Sequence, residues 1–269
     1  MAVTTSPATT GRLPLTRGRR AALAVGVPVC LVLVAVTGLD LVAMFGQGSF
    51  PVNYTAPASA KSLTLADAGG QVLVFGTHAG PATAEVAGTA HYSLVRPRIT
   101  ERADGRGATV GYQCASPVGN CELDATVTVP ATMPVSVSTD GGNAKVFGTA
   151  GPVSLSTGGG DLSARQVTGP LGLSTSGGNI SGTGIGAATV TASSGGGNIE
   201  IVFTSVPADV RVSTSGGNIT LVLPAGHAQY DVTTHTDGGS VSNKLAVNSS
   251  SAHVISATSG GGDITLTQQ

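Results

Sequence analysis

The stretch Val210 to Leu223, VRVSTSGGNITLVL, alternates apolar and small polar residues on either side of a Gly-Gly-Asn hinge. Alternation at period two marks a strand with one buried face, so the segment reads as two short strands meeting at a corner. The same phrase recurs through the second half of the chain. Aligned on the residue after the paired glycines, the copies are anchored at Asn143, Asp161, Asn179, Asn198, Asn218, Ser240 and Asp263, with spacings of 18, 18, 19, 20, 22 and 23. A fixed period in this range is the signature of a solenoid, in which each copy is one coil stacked on the next.

The columns of this alignment assign the residues. Eight before the anchor stand Val135, Val153, Leu171, Val190, Val210, Val232 and Ile255, and six before it Val137, Leu155, Leu173, Ala192, Val212, Thr234 and Ala257. One after it come Ala144, Leu162, Ile180, Ile199, Ile219, Val241 and Ile264. These columns form the expected core. Glycine reaches positive φ without steric cost and Asn or Asp tolerate it, so each Gly-Gly-Asn is expected to be a corner built on such backbone.

A coil of this length holds two or three short strands, too few for a propeller blade. The expected fold is all-β: a single-stranded parallel β-helix (β-solenoid) of about seven to eight coils, each of 18–23 residues, preceded by one transmembrane α-helix. An earlier copy, Leu63 to Phe75, carries Gln71 at the anchor position. Residues 76–134 break the period, and Val95–Ile99 and Thr109–Gln113 flank a charged turn at 103–106. This reads as a hairpin and loop covering the open edge of the first coil. Residues 62–134 are thus a first coil with an irregular N-terminal cap, and 135–269 the regular array.

Charge is sparse and uneven. The leader carries Arg12, Arg17, Arg19 and Arg20 and no acid, whereas the chain beyond residue 39 has nine basic and fourteen acidic residues. From Ala21 to Leu39 no charge appears. Nineteen helical residues span about 28 Å, close to the thickness of a bilayer's hydrocarbon core. Residues 1–20 are therefore expected as a basic cytoplasmic tail and 21–45 as a membrane helix. By the positive-inside tendency the body lies outside the cytoplasm. A cleaved signal peptide is the competing reading, with Val42-Ala43-Met44 a poor cleavage site. Residues 46–61, rich in Ser, Pro and Ala, read as a linker.

A basic tail, one apolar span, a linker and copies of Val-x-Val-x-Thr-x-Gly-Gly-[Asn/Asp]-Ile resemble the bacterial β-strand-repeat family known as "putative adhesin" proteins, whose function is unknown. The resemblance covers about residues 60–267. It implies an extracytoplasmic β-solenoid and supplies no catalytic residues to carry over.

The residues themselves offer few chemical constellations. Cys114 and Cys121, in a segment expected outside the cell, read as a disulfide. Only Asp161 and Asp263 place carboxylates at anchors, and the period is twice that of calcium-binding β-rolls, so no metal is expected. The triple glycines lack the Lys-Ser/Thr ending and following helix of a phosphate loop, and no cofactor is expected. Asp231, His235 and Asp237 come nearest to a catalytic set, with Ser213 in the column beside His235, but nothing signals an oxyanion hole. The scarcity of aromatics speaks against sugar-stacking platforms.

One outward column remains: Ser138, Ser156, Ser174, Ser193 and Ser213 form a regular hydroxyl face, the candidate interaction surface. The expected protein is not an enzyme. It is a cell-membrane, single-pass β-solenoid engaged in adhesion, envelope structure or surface interaction, with the membrane and a surface glycan or protein as partners and no nucleic acid. The alternatives are an envelope-stress or signalling accessory and a polysaccharide-acting enzyme on a β-helix.

Overall fold

A computed structural model describes residues 47–67, 69–79, 82–115 and 120–269. The expected cytoplasmic tail and membrane helix lie outside these residues, and no helix among the described residues is long and apolar enough to cross a membrane. The body is built from strands alone. The N-terminal part holds β1 (Gln47–Thr55), β2 (Leu63–Asp67), β3 (Val72–Thr77), β4 (Glu85–Ser93), β5 (Arg98–Ala103), β6 (Ala108–Gln113) and β7 (Cys121–Pro130). The regular coils follow as strand pairs: β8 (Val135–Thr139) with β9 (Ala144–Phe147), β10 (Val153–Thr157) with β11 (Leu162–Arg165), and β12 (Leu171–Thr175) with β13 (Ile180–Ile185). Then come β14 (Thr189–Ser194) with β15 (Ile199–Phe203), β16 (Asp209–Thr214) with β17 (Ile219–Leu223), β18 (Asp231–Thr236) with β19 (Val241–Asn243), and β20 (Val254–Ser259) with β21 (Ile264–Gln268).

Each coil contributes its first strand to one sheet and its second to the other. The result is a β-solenoid of two long, mainly parallel sheets: a ten-stranded sheet (β18-β20-β16-β14-β12-β10-β8-β2-β6-β5) and an eleven-stranded one (β1-β4-β7-β3-β9-β11-β13-β15-β17-β21-β19). The registers follow the alignment columns, as in Val153↔Leu171 and Leu162↔Ile180. The inward columns are buried from Val135 through Ile219 and again at Ile255, Ala257 and Ile264.

The corners work differently from expectation. Among the described residues the glycines at positive φ are Gly70, Gly148, Gly184 and Gly226, and the Gly-Gly-Asn corners of the regular coils are not among them. The demand is steric. A Cβ on the second glycine of a pair would overlap the carbonyl of its counterpart one coil away, as at Gly160 on Gly142, Gly178 on Gly160 and Gly217 on Gly197. The first glycine of the pair faces open space at Gly141, Gly159, Gly177 and Gly196.

Two hydrogen-bond ladders run through the corners. In the first, each anchor side chain accepts the backbone N–H of the next anchor: Asn143 Oδ1 from Asp161 (2.7 Å), Asp161 from Asn179 (2.7 Å), Asn179 from Asn198 (2.9 Å) and Asn198 from Asn218 (2.8 Å). The second is a column of buried hydroxyls four residues before the anchor. Thr175 Oγ1 donates to Gly160 O at 3.0 Å and accepts Gly178 N–H at 3.0 Å, and Ser194 does the same between Gly178 O and Gly197 N–H. Burying a hydroxyl is tolerated here because both of its hydrogen-bonding roles are filled.

The coils do not stack in chain order. The last coil of the chain, β20–β21, lies between β16–β17 and β18–β19. The inward columns explain why. Residues 254–268 carry Ile255, Ala257, Ile264 and Leu266, all buried, and so belong inside the stack. Residues 231–243 carry Thr234 and Asn243 at the corresponding positions, with Val241 44% exposed, and so suit an end. The ladder follows the spatial order too, since Asn218 Oδ1 accepts Asp263 N–H and Asp263 Oδ1 accepts Ser240 N–H, both at 2.8 Å. Three residues before the anchor, the stack reads Asp140, Gly158, Ser176, Gly195, Ser215, Gly260, Asp237, an alternation of side chain and glycine that chain order breaks.

The N-terminal end shows the same inversion. The first coil, β2–β3, sits between β8–β9 and a further layer made by β6 and β7. Residues 62–134 are thus less irregular than the sequence suggests. The expected hairpin is present as antiparallel β5–β6, its turn closed by Asp104 Oδ1 accepting N–H groups from Arg106 and Gly107 at 2.8 and 2.9 Å. Part of the expected linker 46–61 is instead a strand, since Gln47–Thr55 pairs antiparallel with β4. Its composition hides a period-two pattern in which Val52 is buried and Phe50 packs against Tyr92, ring centroids 6.0 Å apart.

Three outcomes test this account. Gly177→Ala is expected to shift stability by no more than about 1 kcal/mol, and Gly178→Ala to cost about 3 kcal/mol or more, in chemical denaturation. A chain ending at Ala252 is expected to lose hydrogen-exchange protection over 231–247 while 135–201 stays protected; sequential stacking would leave 231–243 protected on β16 and β17. The N–H and O–H of Ser240, both on Asp263 Oδ1, hold that carboxyl below its usual 3.8. A folded pKa below the unfolded one adds stability that is complete above the unfolded value and lost as pH falls from there through the folded pKa. Protection of the Ser240 amide should therefore drop relative to that of Asn198, whose acceptor is an amide, as pH falls below about 4.

Candidate functional site

The outward columns of the ten-stranded sheet are free of the corner and core constraints, and they carry the predicted serines. Ser138, Ser156, Ser174, Ser193 and Ser213 are mutually in register on β8, β10, β12, β14 and β16. Ser138, Ser174 and Ser213 are exposed, whereas Ser156 and Ser193 are half-buried, and Ser213 Oγ donates to Ser193 Oγ at 3.4 Å. The inserted last coil extends the run with Thr258. A second outward column, Ser136, Ser154, Gly172, Thr191, Arg211 and Ser256, runs beside it. Apart from Gly172 and Arg211, the two columns make a grid of small hydroxyls about 4.8 Å apart across strands and about 6.7 Å along them. Pro134, Pro152 and Pro170 border a shallow groove of about 480 Å3 at one side of this grid.

The insertion dismantles the nearest approach to a catalytic set. Thr258 stands between Ser213 and His235, so the serine is not beside the histidine. His235 Nε2 lies 3.0 Å from Asp237 Oδ1, but both side chains are largely exposed, at 67% and 73%. A pair so solvated has no buried acid to orient it. The carboxylates at anchors are occupied by backbone, Asp161 accepting from Asn179 and Asp263 from Ser240. Among the described residues, no three His, Cys, Asp or Glu side chains gather as a metal site requires.

At the N-terminal end Cys114 and Cys121 are joined by a disulfide, with Cα atoms 5.9 Å apart. Cys121 opens β7, so the bond ties the tail of β6 to the outer layer. Beside it lies an open groove of about 590 Å3 floored by corner backbone at Gly69, Gly70, Gly141 and Gly142. Among the described residues, Glu122 is its one ionisable side chain.

Sequence reasoning missed the outer face of the other sheet. Phe75 and Phe147 are in register on β3 and β9, project outward and are 39% and 40% exposed. Their rings lie 6.1 Å apart at 34°, and the Arg165 guanidinium carbon is 6.0 Å from the Phe147 centroid. Both residues fall four after an anchor, Gln71 and Asn143, so this column of the alignment would have found them. The low aromatic content is thus compatible with one outward aromatic pair.

Among curated proteins no relative of the chain is found. Solved structures similar to it include a "putative adhesin" from Bacteroides fragilis, 13% identical, covering 82% of this chain and 97% of that one at a TM-score of 0.47. A second, from Parabacteroides distasonis, is 9% identical with the same coverages and TM-score. A "putative cell adhesion protein" from Clostridium sporogenes is 14% identical, covering 82% of this chain and all of that one at a TM-score of 0.37. The model of the Toastrack DUF4097 family matches residues 113–267, more than half of the sequence, and the chain belongs to that family.

Proposed function

We propose that the chain is a non-enzymatic, single-pass β-solenoid of the cell envelope, anchored by residues 21–45 with its body outside the cytoplasm, and that it serves as a rigid interaction surface. The observation that carries this reading is the registered grid of serine and threonine hydroxyls on the ten-stranded sheet. A grid fixed at the strand spacing presents many identical weak donors and acceptors to a repetitive partner, a surface glycan or another protein. Binding by such a face grows with the number of rungs engaged.

Two further features support the reading. The Cys114–Cys121 disulfide suits an oxidising compartment. Ionisable side chains are dispersed along the stack, and the ion pairs among the described residues, Arg211–Asp209 and His235–Asp237, are surface contacts. No cofactor is needed for this role.

With a C-terminal epitope on the full chain, externally added antibody is expected to label cells whose cytoplasmic membrane is intact. Labelling that appears only after lysis of that membrane would overturn the topology. Retention of such cells on glycan- or matrix-coated surfaces is expected to fall at least about tenfold for the variant Ser138/Ser156/Ser174/Ser193/Ser213→Lys at unchanged expression, because lysines break the grid. Equal retention of both chains removes the hydroxyl face as the binding surface.

A further inference from the structure

The eleven-stranded sheet carries a second, chemically different surface on the opposite side of the solenoid. Two outward rows cross β7, β3, β9 and β11. One reads Thr128, Phe75, Phe147, Arg165 and the other Thr126, Leu73, Lys145, Ser163. An aromatic pair therefore forms the centre of the patch, with Leu73 half-buried beside it, hydroxyls at both flanks and two cations on one side.

Neither part of this patch is required by the fold. The same outward columns hold Ser163, Ser181, Glu200, Thr220 and Thr265, or Thr183, Val202, Val222 and Thr267, in other coils, so no aromatic ring or cation is needed to satisfy the architecture there. Exposed phenylalanine gains little from folding, and an aromatic pair at about 40% exposure retains ring surface for a partner. The cations are free of ion pairs as well. The ion pairs among the described residues involve neither Lys145 nor Arg165. Along the two rows, Thr128 separates Glu85 from Phe75, and Ser163 and Ser181 separate Glu200 from Lys145. In a body with more acids than bases, this places two unpaired cations beside the exposed aromatic pair.

We propose that the Phe75–Phe147 patch, with Lys145 and Arg165, binds an anionic polysaccharide, a sugar chain bearing regularly spaced carboxylates or phosphates. The phenyl faces stack on the C–H faces of the sugar rings while the guanidinium and ammonium take the anions. The shape fits a chain running across the strands: successive strands present aromatic, aromatic and cation about 4.8 Å apart. The inference deepens the surface-interaction reading by naming a ligand class and a face. It rests on that reading only in expecting such a polymer outside the cytoplasm, so binding by purified protein and location of the body fail separately.

The test uses the purified full chain in detergent and four probes: polygalacturonate, a hexose-phosphate polymer, neutral galactan and single-stranded oligothymidylate. Polygalacturonate or the phosphate polymer is expected to bind at low ionic strength, to outcompete galactan and oligothymidylate, and to be released by about 0.5 M salt. Which of the two binds more tightly identifies the anion. Phe75→Thr/Phe147→Thr and Lys145→Ser/Arg165→Thr are expected each to weaken binding at least about tenfold. Both put residues from neighbouring coils into the same columns, and an unchanged melting curve shows that the fold is kept. A variant that melts differently is replaced by the matching single substitutions. The proposal is overturned if neither anionic polymer binds, if both variants bind like the parent, or if oligothymidylate is preferred, which would make the patch a nucleic-acid platform.

Discussion

The approach of one coil's backbone to the next at the second corner glycine sets the terms for the rest of the structure. At Gly160, Gly178, Gly197, Gly217 and Gly262 the preceding carbonyl occupies the space that a Cβ would need. That contact draws successive corners close enough for side chains to bridge them. The anchor Asn or Asp can then take the next anchor's N–H, and the Thr or Ser four residues earlier can link two corner glycines. These groups would otherwise be backbone donors and acceptors at a turn, where no sheet ladder reaches them. Because every corner is closed in the same way, the strands that leave it start in register and the inward columns stack without slippage.

Such a stack has a problem at its ends, where the last coil exposes both its core and its strand edges. This chain solves it by separating chain order from spatial order. At the C-terminal end the coil with Thr234 and Asn243 in the inward columns takes the outside, and the apolar final coil fills the slot behind it. At the other end β6 and β7 cover the first coil, and β5 closes the ten-stranded sheet with Arg98, Glu101 and Arg102 along its edge. Charged edge strands and a polar last coil both discourage further strand addition. Inward polarity, rather than position in the chain, decides where a coil sits.

Much of this was legible in the sequence because it is written as columns. The inward residues, the anchors and the all-β solenoid follow from period two within a strand and a period near 20 between coils. What escaped had one of two causes. The buried Thr157, Thr175 and Thr214 resemble surface threonines, and only the carbonyl brought to them by the neighbouring coil, together with the N–H of the second glycine of their own corner, makes burial acceptable. The corner glycines suggested left-handed backbone because a single copy shows only its own conformation, whereas the constraint comes from the next coil. The order of the last two coils was a non-local fact with local traces, in Thr234, Asn243 and the broken glycine alternation. The strand Gln47–Thr55 was hidden by composition, its Ser, Pro and Thr lying on the exposed side of a pattern whose inward member is Val52.

The division between inward and outward columns also shapes how function can be read. Corner and core columns are fixed by steric contact, ladders and burial, so their residues report on folding alone. Outward columns answer to solvent, and a small hydroxyl at each rung satisfies them. The serine grid is therefore close to what the fold asks for, and its significance rests on regularity and extent. Phe75, Phe147, Lys145 and Arg165 are the opposite case: in columns that other coils fill with Ser, Thr, Val or Glu, the chain places two exposed rings and two cations without ion pairs on adjacent strands. A departure that stability does not explain, concentrated at one place on the sheet, calls for a cause outside the fold. Contact with a partner of matching chemistry supplies one.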